Sequence, residues 1–360
     1  MSLKEIFCQD RAIGLLQRAY GEGRMAHALI FAGIDGVGKF KAASEWARML
    51  LCEKPNVGKS NGMAFADSCG KCKSCVMFEG GSHPDFNHIY KELREFTRDG
   101  KGKPPPADMP IDVIREFVIE KATTRPTFSQ RKVFVITEAE KLNASSQNCL
   151  LKILEEPPEF CCLILLCTRL DKLLPTTRSR CQIVRFGPVD EDRIVDRLLQ
   201  GGTEQQKAQY FARLAQGSLG TACLLAELET EGAELYQIKR DIVAALGRLT
   251  LAGTLDLAES LGRSSKAISG TWSEVQKTTS KTDINRRASA VVVSVVASVF
   301  HDVMKLSLSP DSRLINSDQN QQIRKLAETM TAEQAAQRVA DCCRILTWIE
   351  SNVNEKLIFE

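Results

Sequence analysis

The stretch Gly33-Ile34-Asp35-Gly36-Val37-Gly38-Lys39-Phe40 decides the fold of this chain. Its glycine and lysine spacing is typical of a phosphate-binding loop, in which backbone amides and a helix N-terminus face phosphate oxygens and the lysine reaches the outer phosphates. A short apolar run, residues 28–32, precedes the loop, and apolar residues at helical spacing follow it up to residue 50. The order of strand, loop and helix predicts a nucleotide-binding α/β domain, with an ordinary glycine-rich turn as the alternative.

The ligands that a magnesium ion needs are missing from this loop and from the strand that should face it. Phe40 stands where a Ser or Thr hydroxyl normally binds the ion, and Thr137, at the end of the predicted buried strand 131–136, stands where an aspartate normally does. Glu138 retains the second carboxylate, which has little use without the metal. We therefore predict no Mg²⁺ site, and ATP binding is in doubt. The candidate residues of this degenerate nucleotide site are Gly33, Gly36, Gly38, Lys39, Glu138 and Thr168.

The composition is that of a soluble globular protein with two or three domains. Of the 360 residues, 43% are hydrophobic and 26% are charged, and the net charge of +3 does not favour strong autonomous binding to DNA. The N-terminus lacks the pattern of a secretion signal, and we expect no apolar run to approach membrane-spanning length. A cytoplasmic protein without a membrane partner is therefore predicted.

Four of the thirteen cysteines lie in polar rather than apolar surroundings. They are Cys52, Cys69, Cys72 and Cys75. Four thiolates with CxxC spacing suit tetrahedral zinc, and such a knuckle orders a segment that is too polar to form its own core. We predict a structural Zn²⁺ site in a module at residues 52–75, with a redox-active CxxC pair as the alternative. His83 and His88 are possible substitute ligands, which four cysteines make unnecessary.

The rest of the first half alternates between helices and strands. Residues 91–109 mix charges with prolines, which predicts an exposed connection with little fixed structure. Amphipathic helices are predicted at residues 111–122 and 143–156. The apolar run 161–168 predicts a strand buried on both faces of a parallel sheet, and residues 182–186 predict the next strand.

Together these motifs resemble one family, the AAA+ clamp-loader subunits of bacterial DNA polymerase III. Beyond the loop and the cysteines, the resemblance rests on His27-Ala28, His83-Pro84-Asp85, Ile114-Arg115-Glu116, Leu150-Leu151-Lys152-Ile153-Leu154-Glu155-Glu156-Pro157-Pro158 and Ser179-Arg180-Cys181. It implies an α/β AAA+ P-loop domain, in which a parallel sheet has helices on both faces and carries the zinc module. A small helical lid and an all-α collar domain would follow. The expected domain boundaries are 1–187, 188–230 and 231–360.

Departures from the family's motor subunits imply a subunit that does not hydrolyse ATP. Phe40 supplies no oxygen to magnesium, Thr137 replaces the aspartate, and Gly220 stands where motor subunits carry a sensor arginine. The resemblance thus implies a stator-like component of the DNA-directed DNA polymerase III holoenzyme. It would help the other clamp-loader subunits, of the motor and delta types, to place the sliding clamp on primed-template DNA. A gamma/tau-type ATP-hydrolysing motor is the alternative, and the 6% aromatic content gives little support to a stand-alone nucleic-acid-binding module.

The resemblance also implies one catalytic side chain, Arg180. It matches the family's arginine finger, which enters the ATP site of a neighbouring subunit and stabilises charge on the transferring phosphoryl group. A surface salt bridge at the entrance of a strand is the alternative for this residue.

The C-terminal part is predicted to be helical. Residues 291–304 are apolar almost all round, which is typical of a helix buried between neighbours. Residues 264–287 are polar and predict a loose helix or a loop. The resemblance implies that these helices form the collar that holds the clamp-loader ring together, with His301 as a packing or interface residue.

Overall fold

A computed structural model describes residues 3–60, 63–102, 106, 108–249, 253–277 and 279–350. The chain divides into two compact units, residues 1–189 and residues 190–360. The first contains a parallel sheet covered by helices on both faces, and the described part of the second is helical. The α/β fold that the phosphate loop predicts is therefore confirmed. The further division of the second unit into a lid and a collar stays a prediction.

The first unit is built on five parallel strands, and a separate pair of strands forms a hairpin. The strands are β1 (Ala28–Ala32), β2 (Asn56–Ser60), β3 (Met63–Asp67), β4 (Phe86–Ile89), β5 (Lys132–Ile136), β6 (Cys161–Cys167) and β7 (Gln182–Arg185). The order in the sheet is β4-β5-β6-β1-β7. Strands β1, β5 and β6 are buried along their whole length, as their apolar runs predict. The edge strand β4 is short, and the sequence analysis does not predict it.

Helices pack on both faces of this sheet. They are α1 (Asp10–Gly21), α2 (Lys39–Leu51), α3 (Lys73–Glu79), α4 (Ile111–Ile114), α5 (Glu120–Ala122), α6 (Ala144–Glu155) and α7 (Pro175–Ser179). Side chains alternate along β1, so that Leu29 and Phe31 enter a core with Trp46 of α2, whereas Ile30 enters the opposite core with Leu150 of α6. This alternation explains why the strand is apolar at every position.

The predicted helix at 111–122 is present, but its middle is a π-helical turn. Arg115–Ile119 forms that turn between α4 and α5. The preceding connection is more ordered than expected, because Lys91–Phe96 is a 3₁₀ turn and both Lys91 and Met109 are buried. Met109 enters the core and its backbone pairs with Leu142. The expectation of little fixed structure is therefore wrong for the described part of this segment, while residues 103–105 and 107 lie outside the described residues.

The antiparallel hairpin of β2 and β3 is inserted between α2 and α3. It docks on α1, where the Gln17 side-chain amide donates to the carbonyl of Ala66 at 3.0 Å. Asp67 at the end of β3 accepts from the backbone N–H of Leu3 at 3.4 Å. The sequence analysis places a zinc module here without predicting the hairpin.

The second unit contains eight described helices and a 3₁₀ turn at Ser317–Gln319. The helices are α8 (Glu191–Gln200), α9 (Gln205–Leu214), α10 (Leu219–Thr230), α11 (Leu235–Leu246), α12 (Thr254–Val275), α13 (Lys281–Leu308), α14 (Asn320–Ala327) and α15 (Ala332–Glu350). Residues 264–287, for which a loose helix or a loop is expected, are helical over most of that range, because α12 continues to Val275 and α13 begins at Lys281. Serines of α12 contact α13: the Ser265 and Ser289 hydroxyls are 2.9 Å apart.

Helix α13 is long and apolar enough, by length and composition, to cross a membrane. This corrects the expectation that no apolar run approaches spanning length, since small Ala and Ser residues extend the valine-rich stretch without adding charge. Val292, Val299 and Val303 are buried, and the helix packs against α12 and α15. The core helix of a helical bundle meets the same criterion, and burial between neighbours is what the apolar pattern predicts.

Candidate nucleotide site and candidate metal centre

The glycine-rich loop connects β1 to α2, as predicted. Gly36 and Gly38 have φ values of 72° and 96°, which L side chains rarely adopt. Gly33 is required for another reason, because a Cβ there would lie 2.5 Å from the backbone oxygen of Phe186. Gly38 is the N-cap of α2. The loop thus retains the backbone features of a phosphate cradle at a helix N-terminus.

The side chain of Lys39 folds back onto its own loop. Its Nζ donates to the carbonyl oxygens of Gly33 and Ile34, both at 2.7 Å. Burial lowers the pKa of this amine, although Asp35 and Glu140 oppose the shift electrostatically. Two of the three hydrogens on the ammonium group are therefore bound by the protein itself, and a phosphate must compete with those hydrogen bonds.

The two positions that normally bind magnesium have other contacts. The exposed Phe40 ring lies 4.7 Å from the ring of His88, which in turn lies 5.0 Å from the ring of Tyr90. Burial lowers the pKa of His88, so its imidazole is neutral at pH 7. The Thr137 hydroxyl donates to the carbonyl of Ile89 at 3.1 Å. An aromatic row and a hydroxyl already engaged by the backbone do not form the hard oxygen shell that magnesium requires.

Glu138, the expected second carboxylate, is paired with lysines. Its Oε1 accepts from Nζ of Lys141 at 2.5 Å, and Nζ of Lys91 lies 3.8 Å from its Oε2. Its backbone is left-handed, with φ of 52°, which is uncommon for a residue with a side chain. The structure therefore does not bring Glu138 together with Thr168.

Glu140, and not the predicted Glu138, contacts Thr168. Its carboxylate accepts from the Thr168 hydroxyl at 2.6 Å and from the Thr168 backbone N–H at 3.2 Å. It also raises the pKa of Lys39 electrostatically. A 3₁₀ turn at Ala139–Lys141 sets the position of this residue after the strand. The second acidic residue of Glu138-Ala139-Glu140 is the only sequence signal that points to it.

The buried side chain of Gln9 ties the phosphate loop to the segment with which the first unit ends. Its Nε2 donates to the carbonyl of Val37 at 3.4 Å and to the carbonyl of Gly187 at 2.9 Å. Its Oε1 accepts from the backbone N–H of Gly187 at 3.2 Å. One amide therefore holds two backbone segments together, and the sequence analysis does not identify it.

The four predicted cysteines lie together. Their sulfur atoms are all within 4.8 Å of one another, and Cys52 Sγ lies 3.5 Å from Cys69 Sγ and 3.8 Å from Cys72 Sγ. Four sulfurs at about 2.3 Å from one zinc ion would be roughly 3.8 Å apart, so the donor set fits such an ion. The backbone N–H groups of Cys72 and Cys75 donate to the preceding cysteine sulfurs at 3.4 and 3.5 Å. Backbone hydrogen bonds, first that from Lys71, lower the pKa of Cys69 to about 6, whereas burial raises the pKa of Cys52 to about 12.

A buried polar cluster joins this metal centre to the sheet. The Ser74 hydroxyl donates to the carbonyl of Leu51 at 2.6 Å and lies 3.0 Å from His83 Nε2. The Ser129 hydroxyl donates to the same carbonyl at 2.9 Å and lies 3.2 Å from the same nitrogen. Asp85 accepts from three successive backbone N–H groups, of residues 127–129, at 2.6–2.8 Å. His83 therefore lies in a network behind the cysteines and is not one of the four clustered ligands.

Arg180 follows α7 and is about one-third exposed. Its guanidinium is 2.6 Å from Glu155 Oε1 and also donates to the carbonyl of Thr176 at 2.9 Å. The salt bridge that the sequence analysis gives as the alternative is therefore present in the single chain. The ion pair is solvent-exposed on both sides, so it is weak enough to be exchanged for another partner.

Two family models match the chain. The model described as "DNA polymerase III, delta subunit" matches residues 8–190, and the model described as "DNA polymerase III, delta subunit, C terminal" matches residues 270–360.

Curated relatives agree with these matches. A DNA polymerase III subunit delta' of Bacillus subtilis is 24% identical over 353 residues, which cover 98% of this chain and 94% of the relative. The subunit delta' of Escherichia coli is 34% identical over 211 residues, which cover 58% of this chain and 57% of the relative. The subunit tau of Bacillus subtilis is 29% identical over 228 residues, which cover 62% of this chain and 36% of the relative.

Proposed function

Since the chain belongs to the DNA polymerase III delta subunit family and its relatives include delta' subunits, we propose that it is the clamp-loader subunit that does not hydrolyse ATP. It would work with gamma/tau-type and delta-type subunits in the bacterial cytoplasm to place the sliding clamp on primed DNA. Its AAA+ domain, lid and collar would be residues 1–187, 188–230 and 231–360.

The main support for this proposal is that both residues at the positions that normally bind magnesium make other contacts. Phe40 stacks near His88, and Thr137 donates to a strand carbonyl. The Lys39 amine is held by carbonyls of its own loop. Phosphoryl transfer depends on a metal ion and a free lysine at the phosphates, so each of these contacts opposes hydrolysis. Gly220, in the first turn of α10, also lacks the charge of a sensor arginine.

Arg180 is proposed to act in the ATP site of a neighbouring subunit. Its planar guanidinium carries five donors, and exchange of Glu155 for phosphate oxygens conserves the hydrogen bonds that it makes. Glu155 would keep the side chain oriented until the neighbour is in place. The Cys52, Cys69, Cys72 and Cys75 centre is proposed to hold Zn²⁺, which would fix the hairpin and α3 and take no part in the chemistry.

The test is ATP turnover by a reconstituted clamp loader in the presence of clamp and primed DNA. We expect Arg180→Ala to lower turnover at the neighbouring site by about 10³-fold or more, because an arginine finger contributes that much to phosphoryl transfer. Arg178→Ala is the matched control, since Arg178 is an exposed arginine two positions away. Glu155→Ala should leave turnover intact, because it removes only the resting partner.

The isolated subunit distinguishes the stator from the motor alternative. We expect it to show no turnover that depends on Lys39. If it hydrolyses ATP and Lys39→Ala abolishes that activity, the subunit is a motor. If Arg180→Ala and Arg178→Ala behave alike in an intact loader, Arg180 is a surface salt bridge only.

A further inference from the structure

A cleft in the second unit is lined by three cationic side chains and one carboxylate. Its cavity volume is about 320 Å³, and its charged lining consists of Glu191, Arg213, Lys305 and Arg313, with His301 beside them. It lies between α8 and α9 on one side and α13 with the following loop on the other.

The arginines of this cleft are held in place by the protein. Arg213 is nine-tenths buried, and its Nε donates to Glu191 Oε1 at 2.8 Å. Another of its nitrogens donates to the carbonyl of Leu314 at 2.9 Å and to the Ser317 hydroxyl at 2.8 Å. Arg313 approaches the same Glu191 oxygen at 2.9 Å. Arg313 also lies 3.8 Å from Asp192, an exposed carboxylate that does not line the cleft. Glu191 is therefore shared by two guanidinium groups, and the lining of the cleft holds more cations than carboxylates.

Lys305 adds a third cation. Among the described residues, its ammonium has no carboxylate within ion-pair distance. The buried Asp302 nearby is already occupied, because it accepts from the backbone N–H groups of Ile315 and Asn316 at 2.9 and 2.8 Å. His301 Nδ1 is buried, lies 3.8 Å from the Asp302 carboxylate and has no hydrogen-bond partner among the described residues.

We propose that this cleft binds a phosphate group. Guanidinium forks and an ammonium group match phosphate oxygens, and such charge-assisted hydrogen bonds are among the strongest in proteins. The volume exceeds that of a bare phosphate ion and suits a phosphate ester of nucleotide size. Leu314 and Ile315, both largely buried, line the cleft and can pack against the carbon atoms of the ester.

Such a ligand would join the two parts of the second unit. Glu191 and Arg213 belong to the predicted lid, whereas His301, Lys305 and Arg313 belong to the predicted collar. A phosphate held by Lys305 and the arginines would add bonds between these parts and reduce their relative motion. Phosphate esters at this cleft are therefore expected to stabilise the second unit against unfolding.

The test is a titration of the full-length protein with inorganic phosphate, with a mononucleotide and with a single-stranded oligonucleotide. The readouts are the NMR signals of the His301 ring and the shift in melting temperature. We expect all three ligands to change the chemical shifts of the His301 ring. The ligand with the highest affinity then identifies which kind of phosphate group the cleft binds. Lys305→Ala should weaken binding by about tenfold, the value of one charge-assisted hydrogen bond.

Lys325→Ala is the matched control, because it removes an equal charge from α14 outside the cleft. Lys39→Ala is the control for nucleotide binding at the phosphate loop. We expect this variant to show the same ligand-dependent changes in the His301 signals as the parent protein. The proposal is overturned if phosphate leaves His301 unmoved, or if Lys305→Ala and Lys325→Ala weaken binding equally. Binding of an acidic peptide without binding of phosphate would also overturn it, in favour of a protein ligand.

Discussion

At the scale of single residues, the sequence of the phosphate loop is constrained by the space around its backbone as much as by the chemistry of phosphate binding. Gly33 lies against the backbone of Phe186, in the strand-end segment that neighbours β1. Gly14, in α1, has open space where a Cβ would lie. The same substitution thus has opposite physical consequences at the two positions.

We predict that Gly33→Ala destabilises the protein by about 1–3 kcal/mol, because the added methyl meets a backbone oxygen that has no alternative position. Gly14→Ala should stabilise it by about 0.5–1 kcal/mol, since alanine has the better helix propensity and nothing opposes it. Urea unfolding of the two variants measures both effects. Equal changes of the same sign would show that the close approach at Gly33 is relieved by a small backbone shift.

At the scale of elements, the proposed metal centre would organise a segment that has few apolar side chains of its own. Cys52 follows α2, Cys72 is the N-cap of α3, and Cys75 lies within α3. Ser74 and His83 then connect α3 to the end of α2 and to the loop before β5. Binding of a metal by the four cysteines would therefore be coupled to the packing of these elements.

We predict that Ser74→Ala weakens zinc binding by about tenfold, because the hydroxyl holds the backbone between two ligands against the carbonyl of Leu51. Competition with a chromophoric chelator measures this affinity. Ser145→Ala, an exposed serine on α6, is the control and should bind zinc like the parent protein. Equal affinities in the two variants would mean that the cysteines alone determine the site.

Some elements of the fold could be predicted from sequence patterns, and others could not. Apolar runs predicted β1, β5 and β6, because a strand buried on both faces is apolar at nearly every position. Spacing predicted the cysteine cluster, since CxxC geometry is local. Short β4 and the β2–β3 hairpin carry no such run, and their formation depends on docking to other elements. Glu140, Gln9 and Ser129 act through contacts between distant segments, which no local pattern encodes.

At the scale of the whole molecule, the motifs of residues 1–190 predicted the family, and the family matches confirm it. The second unit has its own buried polar anchor. Lys239 is fully buried, lies 4.9 Å from the ring centroids of Tyr210 and Tyr236, and pairs with Asp318. Burial lowers the pKa of Lys239, and the carboxylate of Asp318 offsets only part of that shift.

The same anchor predicts a pH dependence of stability. Burial alone raises the pKa of Asp318, but hydrogen bonds from Lys239 and Tyr236 hold it below the ordinary value of 3.8. A folded-state pKa below the unfolded one contributes stability that is present above pH 3.8 and is lost as the pH falls through the folded value.

We therefore expect Asp318→Asn to destabilise the protein at pH 7, with a difference from the parent that shrinks toward pH 3. Urea unfolding across this range measures the difference. Asp311→Asn, at an exposed aspartate, should show no such convergence. A constant difference for Asp318→Asn would mean that Lys239 is stabilised by the tyrosine rings rather than by the carboxylate.

The hydrogen bonds of the Gln9 amide have a consequence for the coupling between the phosphate loop and the end of the first unit. In an enzyme that changes conformation with its bound nucleotide, a movement of the phosphate loop is transmitted to the segments that are hydrogen-bonded to that loop. Here the loop is fastened by Gln9 to Gly187, two residues before the first unit ends, and its lysine is occupied by its own carbonyls. In the proposed stator no hydrolysis would shift the loop, so Gln9 would hold Gly187 in one position relative to the phosphate loop.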